Sequence, residues 1–431
     1  MPRPSPSIER GRPHLRHAGL LAVLLAAAAL FRMTQNMAVT TLSLLARDDV
    51  HISATEIGVL GAVTGLMVAL VTLFVSRRVP HEHAAVSAAA GMVGLAVSLL
   101  VVAAASSFAV LAAGVLLLGI AGGIAMPGLL NAVVAIRAGE RERVIAVYRA
   151  TLSVSLAVGP LLETVLLSSA RQDVRVPYLA FAILPVVGAG LILVGSRRRR
   201  VEERRAAPAA REAEEGLAVD TAGDVASETP RPALPSTERR RAGLLSTGSG
   251  RIALVAQLLY AVPFAGITVF GALVARAGYG ASPARAQLGF TVFFVFSLSS
   301  RAIVAWRAPV RRKVGLLWVS AALTAAGLVL LGVGEGQLAY LGAMAMLGVP
   351  HGLTFPIALA LVAESTAVTD LPRANATLLG SSNLTSVVVP LVLGAVVPAI
   401  GYRGMTLVML GPVAAFALLQ FGLGSRPRQA R

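Results

Sequence analysis

Twelve apolar runs of about twenty residues dominate this chain, at residues 17–46, 55–76, 84–104, 107–136, 144–168, 176–195, 251–275, 283–305, 314–333, 337–363, 374–399 and 403–424. A helix rises about 1.5 Å per residue, so each run is long enough to cross the ~30 Å hydrocarbon core of a bilayer. Only 14% of the residues are charged and 56% are hydrophobic, where soluble domains carry roughly a quarter charged. The expected fold class is therefore all-α integral membrane. The first run, from His17, is too long for a secretory leader and has no clear small-residue cleavage site, so it reads as a retained span. The chain has no cysteine, which excludes disulfides, thiolate nucleophiles and zinc–thiolate sites.

One segment breaks the pattern. Residues 196–250 begin SRRRRVEERRAAPAAREAEEG and are charged, proline-containing and poor in aromatics. Such a stretch cannot bury enough apolar surface to order itself and is expected to be a largely disordered linker. It separates a polar tail (1–16) and a six-span bundle (17–195) from a second six-span bundle (251–424) and a short tail (425–431). Of the 38 Lys and Arg residues, 29 fall on the side of the tails and linker and 6 on the other; Arg32, Arg149 and Arg301 lie within spans. The positive-inside rule then places both termini in the cytoplasm of a cell membrane. The net charge of +17 is accounted for by topology and by contact with anionic lipid, with no need for nucleic acid.

The two bundles repeat one another. Gly119-x3-Gly123-x3-Pro127 in span 4 recurs as Gly348-x3-Gly352-x3-Pro356 in span 10, and Ala46-Arg47 with Ser53 recurs as Ala275-Arg276 with Ser282; both offsets are 229. Pro160 in span 5 matches Pro390 in span 11 at an offset of 230. Parallel repeats of this kind imply a pseudo-two-fold axis along the membrane normal, with a binding site between the halves. With its six-plus-six spans, central linker and parallel halves, the chain resembles the major facilitator superfamily over residues 17–424. The stretches TTLSLLARDDVHISATEIGVLG (40–61) and RATLSVSLAVGPLL (149–162) are similar to segments of bacterial sugar efflux transporters, relatives of the drug:proton antiporters.

That resemblance implies alternating access and proton-coupled efflux of a small organic molecule, a drug or a sugar, by a monomer with no cofactor. An importer on the same fold is the alternative, and a non-transporting membrane sensor a more distant one. The chain departs from the superfamily in two places. The span 5 motif G-x3-G-P-x2-G-G reads Ser155-x3-Gly159-Pro160-x2-Glu163 here, and the loop after span 2 keeps Arg77-Arg78 but lacks the usual Asp and second Gly. Nucleotide-binding, zinc-protease and serine-hydrolase signatures are missing, so no enzymatic activity is expected.

Polar residues inside the spans mark the candidate site. Arg32 lies about 15 residues, or ~22 Å, into span 1, where a charge costs roughly 2.5–3.5 kcal/mol and should face a cavity or a partner. Asn36 shares its helix face at i+4 and Gln35 is adjacent at i+3, so the three form one polar stripe suited to orienting a substrate. Asn131 on span 4 and Asn383 on span 11, with Ser381 and Ser382, extend the polar lining. Glu163, ~28 Å into span 5, is the expected proton carrier. If paired with Arg32 it stays ionised until substrate competes for the arginine; if unpaired it is free to take up a proton. His351 in span 10 is a second proton carrier or a substrate ligand. Gly119, Gly123, Gly348 and Gly352 have the spacing of close helix contacts. Pro127, Pro160 and Pro356 should bend their helices, with Gly159 beside Pro160 and Arg149 as a gate residue.

Overall fold

Among the described residues the protein is all-helical, with no strand. The computed structural model describes residues 12–136, 141–197, 247–307, 310, 312–367 and 369–424. The expected disordered linker therefore lies almost wholly outside the described residues, as do the tail segments 1–11 and 425–431. The first half contains α1 (Arg12–Asp48), α2 (Ala54–Arg78), α3 (Ala84–Ala103), α4 (Phe108–Val134), α5 (Arg141–Ser169) and α6 (Arg175–Arg197). The second contains α7 (Gly248–Tyr279), α8 (Pro283–Trp306), α9 (Lys313–Val333), α10 (Gly336–Ser365), α11 (Leu371–Val408) and α12 (Gly411–Gly424). Helix α7 starts ahead of the apolar run because the Thr247 hydroxyl caps it by accepting the Gly250 amide.

Among the described residues eleven stretches are long and apolar enough to cross a membrane, and the last of them, Arg373–Gly422, has 50 residues. At ~1.5 Å per residue it spans about 75 Å, more than two hydrocarbon cores. The helix is broken within it at Gly401, whose φ of +71° and ψ of 173° only glycine adopts readily. The chain reverses there. Before the break, Ser386 faces Gly65 and Gly394 faces Gly58 of α2. After it, Leu407 meets Gly332 near one end of α9, and Phe416 lies 5.2 Å from Trp318 near the other.

The internal repeat reaches individual contacts. A Cβ on Gly119 would sit 2.6 Å from Met67 Cβ and 3.0 Å from the Thr64 carbonyl, and one on Gly123 2.7 Å from Val71 Cβ, so these glycines let α4 close on α2. Gly348 and Gly352 do the same for α10 on α8, against Phe293, Phe296, Ser297 and Ser300. Thr64, Met67 and Val71 are each 229 residues before Phe293, Phe296 and Ser300. Ser53 caps α2 and Ser282 caps α8, and the turns before them close with the same bond, Ile52 N–H to the Ala46 carbonyl and Ala281 N–H to the Ala275 carbonyl. Near the start of α6, Arg175 donates to the Ala105 carbonyl at 3.0 Å; Arg403, beyond the Gly401 break, donates to the carbonyl of Gly334, again 229 residues after Ala105.

Each half packs its own helices closely, and the halves meet through α2 with α11, α5 with α8, and α1 with α7. Large apolar side chains also cover the outside: Ile183 and Val186 on α6, Val295 and Ile303 on α8, and Leu418 and Phe421 on α12 are all exposed. An apolar shell this extensive matches lipid, not water.

Candidate functional site

A few polar groups of the interior bond across the seam between the halves. On α1, Arg32 is half-buried and donates to Gln35 Oε1 at 3.0 Å, while Asn36 is buried with its Nδ2 unpartnered. The Gln35 amide lies over Gly122 of α4, where a Cβ would come within 2.6 Å of it. Of the three residues singled out from the sequence, Arg32 and Gln35 bond to each other, and Gly122 leaves room for the Gln35 amide.

Glu163 on α5 is fully buried and is the one buried acidic side chain among the described residues. It does not pair with Arg32. Its Oε1 accepts the Thr41 hydroxyl, and its Oε2 has no partner. Gly159 lies level with Met33, so Glu163 sits one turn further along α5 and its carboxylate turns to a residue nine positions past Arg32, ~13 Å along α1. The Thr41 hydroxyl also accepts from Gln287 Nε2 at 3.2 Å, and the same amide reaches the Thr40 carbonyl at 3.4 Å. Gln287 belongs to α8, in the other half, and is completely buried. Glu163–Thr41–Gln287 is therefore a hydrogen-bonded chain across the seam.

His351 on α10 is buried with Nδ1 2.7 Å from Ser297 Oγ. Its ring stacks on Phe264 at 4.4 Å and meets Phe293 at 5.1 Å, Tyr260 at 5.7 Å and Phe294 at 6.0 Å. Beside this aromatic cluster, the fully buried Gln257 donates to Tyr260 Oη at 2.8 Å and to Ser382 Oγ, leaving its own Oε1 without a partner. Arg301 on α8 donates to Ser153 Oγ of α5 at 2.6 Å, a second bond between the halves, and its Nε is buried without a partner. Arg301 also lies close enough to Arg32, Arg149 and His351 for their charges to interact.

Other sequence-designated residues fall elsewhere. Asn131 is half-buried in the last turn of α4, and its backbone carbonyl accepts the Ala135 amide. It lies nine residues from Gly122, ~13 Å along α4 from the level of Gln35. Asn383 is exposed on α11, next to the Ser382 that Gln257 engages. Arg149 is exposed on α5, and its carbonyl accepts the Ser153 hydroxyl. Pro127 and Pro160 are buried within α4 and α5, and Pro356 is half-buried in α10. Thr41, Gln257, Tyr260 and Gln287 were not singled out from the sequence. Gln257 stands among largely apolar residues in LVAQLLY, where an amide at such a depth was the available signal, whereas Gln287 in ARAQLGF follows Arg285 by two residues and reads as part of a polar helix end.

Apart from Arg301–Ser153, every hydrogen bond or ion pair described between the halves lies toward the end carrying the α1–α2 connection. These are Asp48–Arg276, Thr55 to the Gly394 carbonyl, the Ala284 amide to Gln172, and Gln287 to Thr40 and Thr41. Toward the α2–α3 end, Leu66, Leu70, Leu73 and Phe74 of α2 and Leu379 and Leu384 of α11 are exposed.

The membrane-length helices, in two halves bonded across their seam by buried polar groups, define a multi-pass membrane protein. The sequence profile of the Major Facilitator Superfamily matches residues 24–357, and the chain belongs to that family. No curated protein matches the chain in sequence. Among solved structures it is similar to the nucleoside transporter NupG, at 13% identity and a TM-score of 0.65, covering 94% of this chain and 99% of that one. It is also similar to a bacterial homologue of the human lysosomal transporter Spinster, in an inward-facing, unoccupied conformation, at 14% identity and a TM-score of 0.66, covering 96% and 99%. A peptide transporter, POT, solved in mutant form with sulfate, aligns at 12% identity and a TM-score of 0.64, covering 94% of each chain. At such identities the likeness is one of fold.

Proposed function

We propose that this protein is a proton-coupled carrier that exports a small organic molecule, a drug or a sugar, by alternating access. Its twelve spans form two parallel six-helix repeats with both termini in the cytoplasm of the cell membrane. Arg32, Gln35 and Asn36 engage the substrate, Glu163 carries the proton, and His351 takes part from the second half. In this assignment the α1–α2 end faces outward. The chain is then closed to the outside and open toward the cytoplasm, as the exposed faces of α2 and α11 suit.

The observation that carries this reading is the Glu163–Thr41–Gln287 chain. An ionised carboxylate only accepts, so Thr41 points its hydrogen at Glu163 and keeps its lone pairs for Gln287. Protonation replaces the charge-assisted bond from Thr41 with a weaker neutral one and puts an O–H on Oε2, which has no acceptor here. Proton loading at Glu163 is thereby tied to closure of the outward end.

Purified protein in liposomes holding a pH-sensitive dye tests this. With a panel of sugars and amphipathic drugs, substrate-dependent proton movement is expected, abolished by Glu163→Gln. Accumulation under opposite pH gradients gives the direction. Substrate movement with no accompanying protons, or coupling that persists in Glu163→Gln, would overturn the assignment.

A further inference from the structure

Each half brings a cation to the seam with no anion to meet it. Arg32 donates to the neutral Gln35 at 3.0 Å and Arg301 to the neutral Ser153 at 2.6 Å. Among the described residues neither guanidinium forms an ion pair with a carboxylate, and the one buried carboxylate, Glu163, is turned to Thr41. The two arginines repel one another, and Arg149 adds to the field at Arg301. Two buried donors wait without partners: Nε of Arg301, and Nδ2 of Asn36 one turn beyond Arg32. Beside the cations stands an aromatic wall. His351 is within charge reach of both arginines and stacks on Phe264, while Tyr260 meets Phe355 edge-on at 6.3 Å. Tyr260, Phe264 and Phe355 are half-exposed and form the accessible edge of that wall.

We propose that the site takes an amphipathic organic anion, a carboxylate or sulfonate on a flat apolar body, whose head group bridges Arg32 and Arg301 across the seam. This rests on the carrier reading above and names its substrate class. An organic cation would add a third positive charge to the centre, and a neutral sugar would leave both guanidinium groups uncompensated. An inorganic anion would balance charge but leave the aromatic edge uncovered. An anion held by one arginine from each half also supplies what alternating access requires: a ligand whose binding draws α1 and α8 together.

The test uses the full-length protein in nanodiscs, titrated with 1-naphthoate and 2-naphthalenesulfonate. Controls are 1-naphthamide, 1-naphthylmethylamine, and chloride and phosphate at matched ionic strength. The two organic anions should raise the melting temperature saturably, and the neutral and cationic analogues should not. Arg32→Gln and Arg301→Gln should each weaken that binding about 30-fold or more, as for a truncated buried charge pair, and Arg301→Lys should retain part of it. Without ligand, both glutamine variants should melt at or above the wild-type temperature, because one of two like charges is gone.

A ligand-free Arg301→Gln that melts well below wild type would make the arginine a strut and overturn the proposal. So would naphthamide binding equally well, no shift with either organic anion, or a full shift with chloride or phosphate that naphthoate does not displace. Proton-coupled transport of the amide or amine but not of naphthoate would refute the substrate class and leave the carrier reading intact. Binding of naphthoate through both arginines with no transport of any compound would do the reverse.

Discussion

At the scale of single residues, the fold depends on where side chains are missing. Gly352 lies directly against the Ser297 carbonyl and Ser300 Oγ of α8. A methyl there must push backbone aside, so Gly352→Ala should lower stability by about 1–3 kcal/mol, read as a drop in melting temperature in detergent. Gly190 on α6 has nothing within 4 Å of its would-be Cβ. Gly190→Ala should therefore hold or raise stability, by up to about 1 kcal/mol. Equal losses at both positions would refute the packing argument. The spacing of Gly348 and Gly352 made close contact legible in the sequence, but not that Gly122 gives room to Gln35. The latter depends on which helix passes behind α1, and no local pattern encodes that.

At the scale of elements, ends and breaks carry the information. Ser53 and Glu56 form a reciprocal capping box on α2, with the Ser53 amide and hydroxyl each 2.7 Å from Glu56 Oε2. Ser53→Ala should cost about 1 kcal/mol, and Ser282→Ala, its counterpart on α8, a similar amount. Parallel losses are expected if the repeat is energetic as well as geometric, and thermal melting of the two variants checks it. Gly401 is the break between the last two apolar runs. Its φ of +71° is strained for any residue with a Cβ, so Gly401→Ala should destabilise by about 1 kcal/mol or more. The apolar runs read from the sequence placed this boundary between residues 399 and 403. The start of α7 was missed by three residues, since the Thr247 cap lies among polar residues that hydropathy cannot distinguish from linker.

For the whole molecule, the relation of the halves is what matters. The Asp48–Arg276 pair joins α1 to α7 at the closed end. As a partly exposed pair it is worth only about 0–1 kcal/mol, so both residues can be replaced without unfolding the protein. The chain has no cysteine, which makes an Asp48→Cys, Arg276→Cys variant its own clean reporter. A reducible bifunctional methanethiosulfonate linker between the two cysteines, standing in for the lost arginine length, should hold that end shut and stop transport, and reduction should restore it. Transport through an intact bridge would show that this end need not open.

Helix class, the apolar runs and the repeated motifs were all readable in the residues. Each depends on local composition or on spacing along one helix, and hydrocarbon enforces both. The partners were not readable. Arg32 and Glu163 counted to within several ångström of the same depth, yet Glu163 turns to Thr41, and Arg301 crosses the seam to Ser153. Gln287 reaches Glu163 through Thr41, which lies 246 residues before it in the chain. These pairings follow from how two bundles slide and rotate against each other. That register is set by the sum of many small packing contacts, and only the assembled structure decides it.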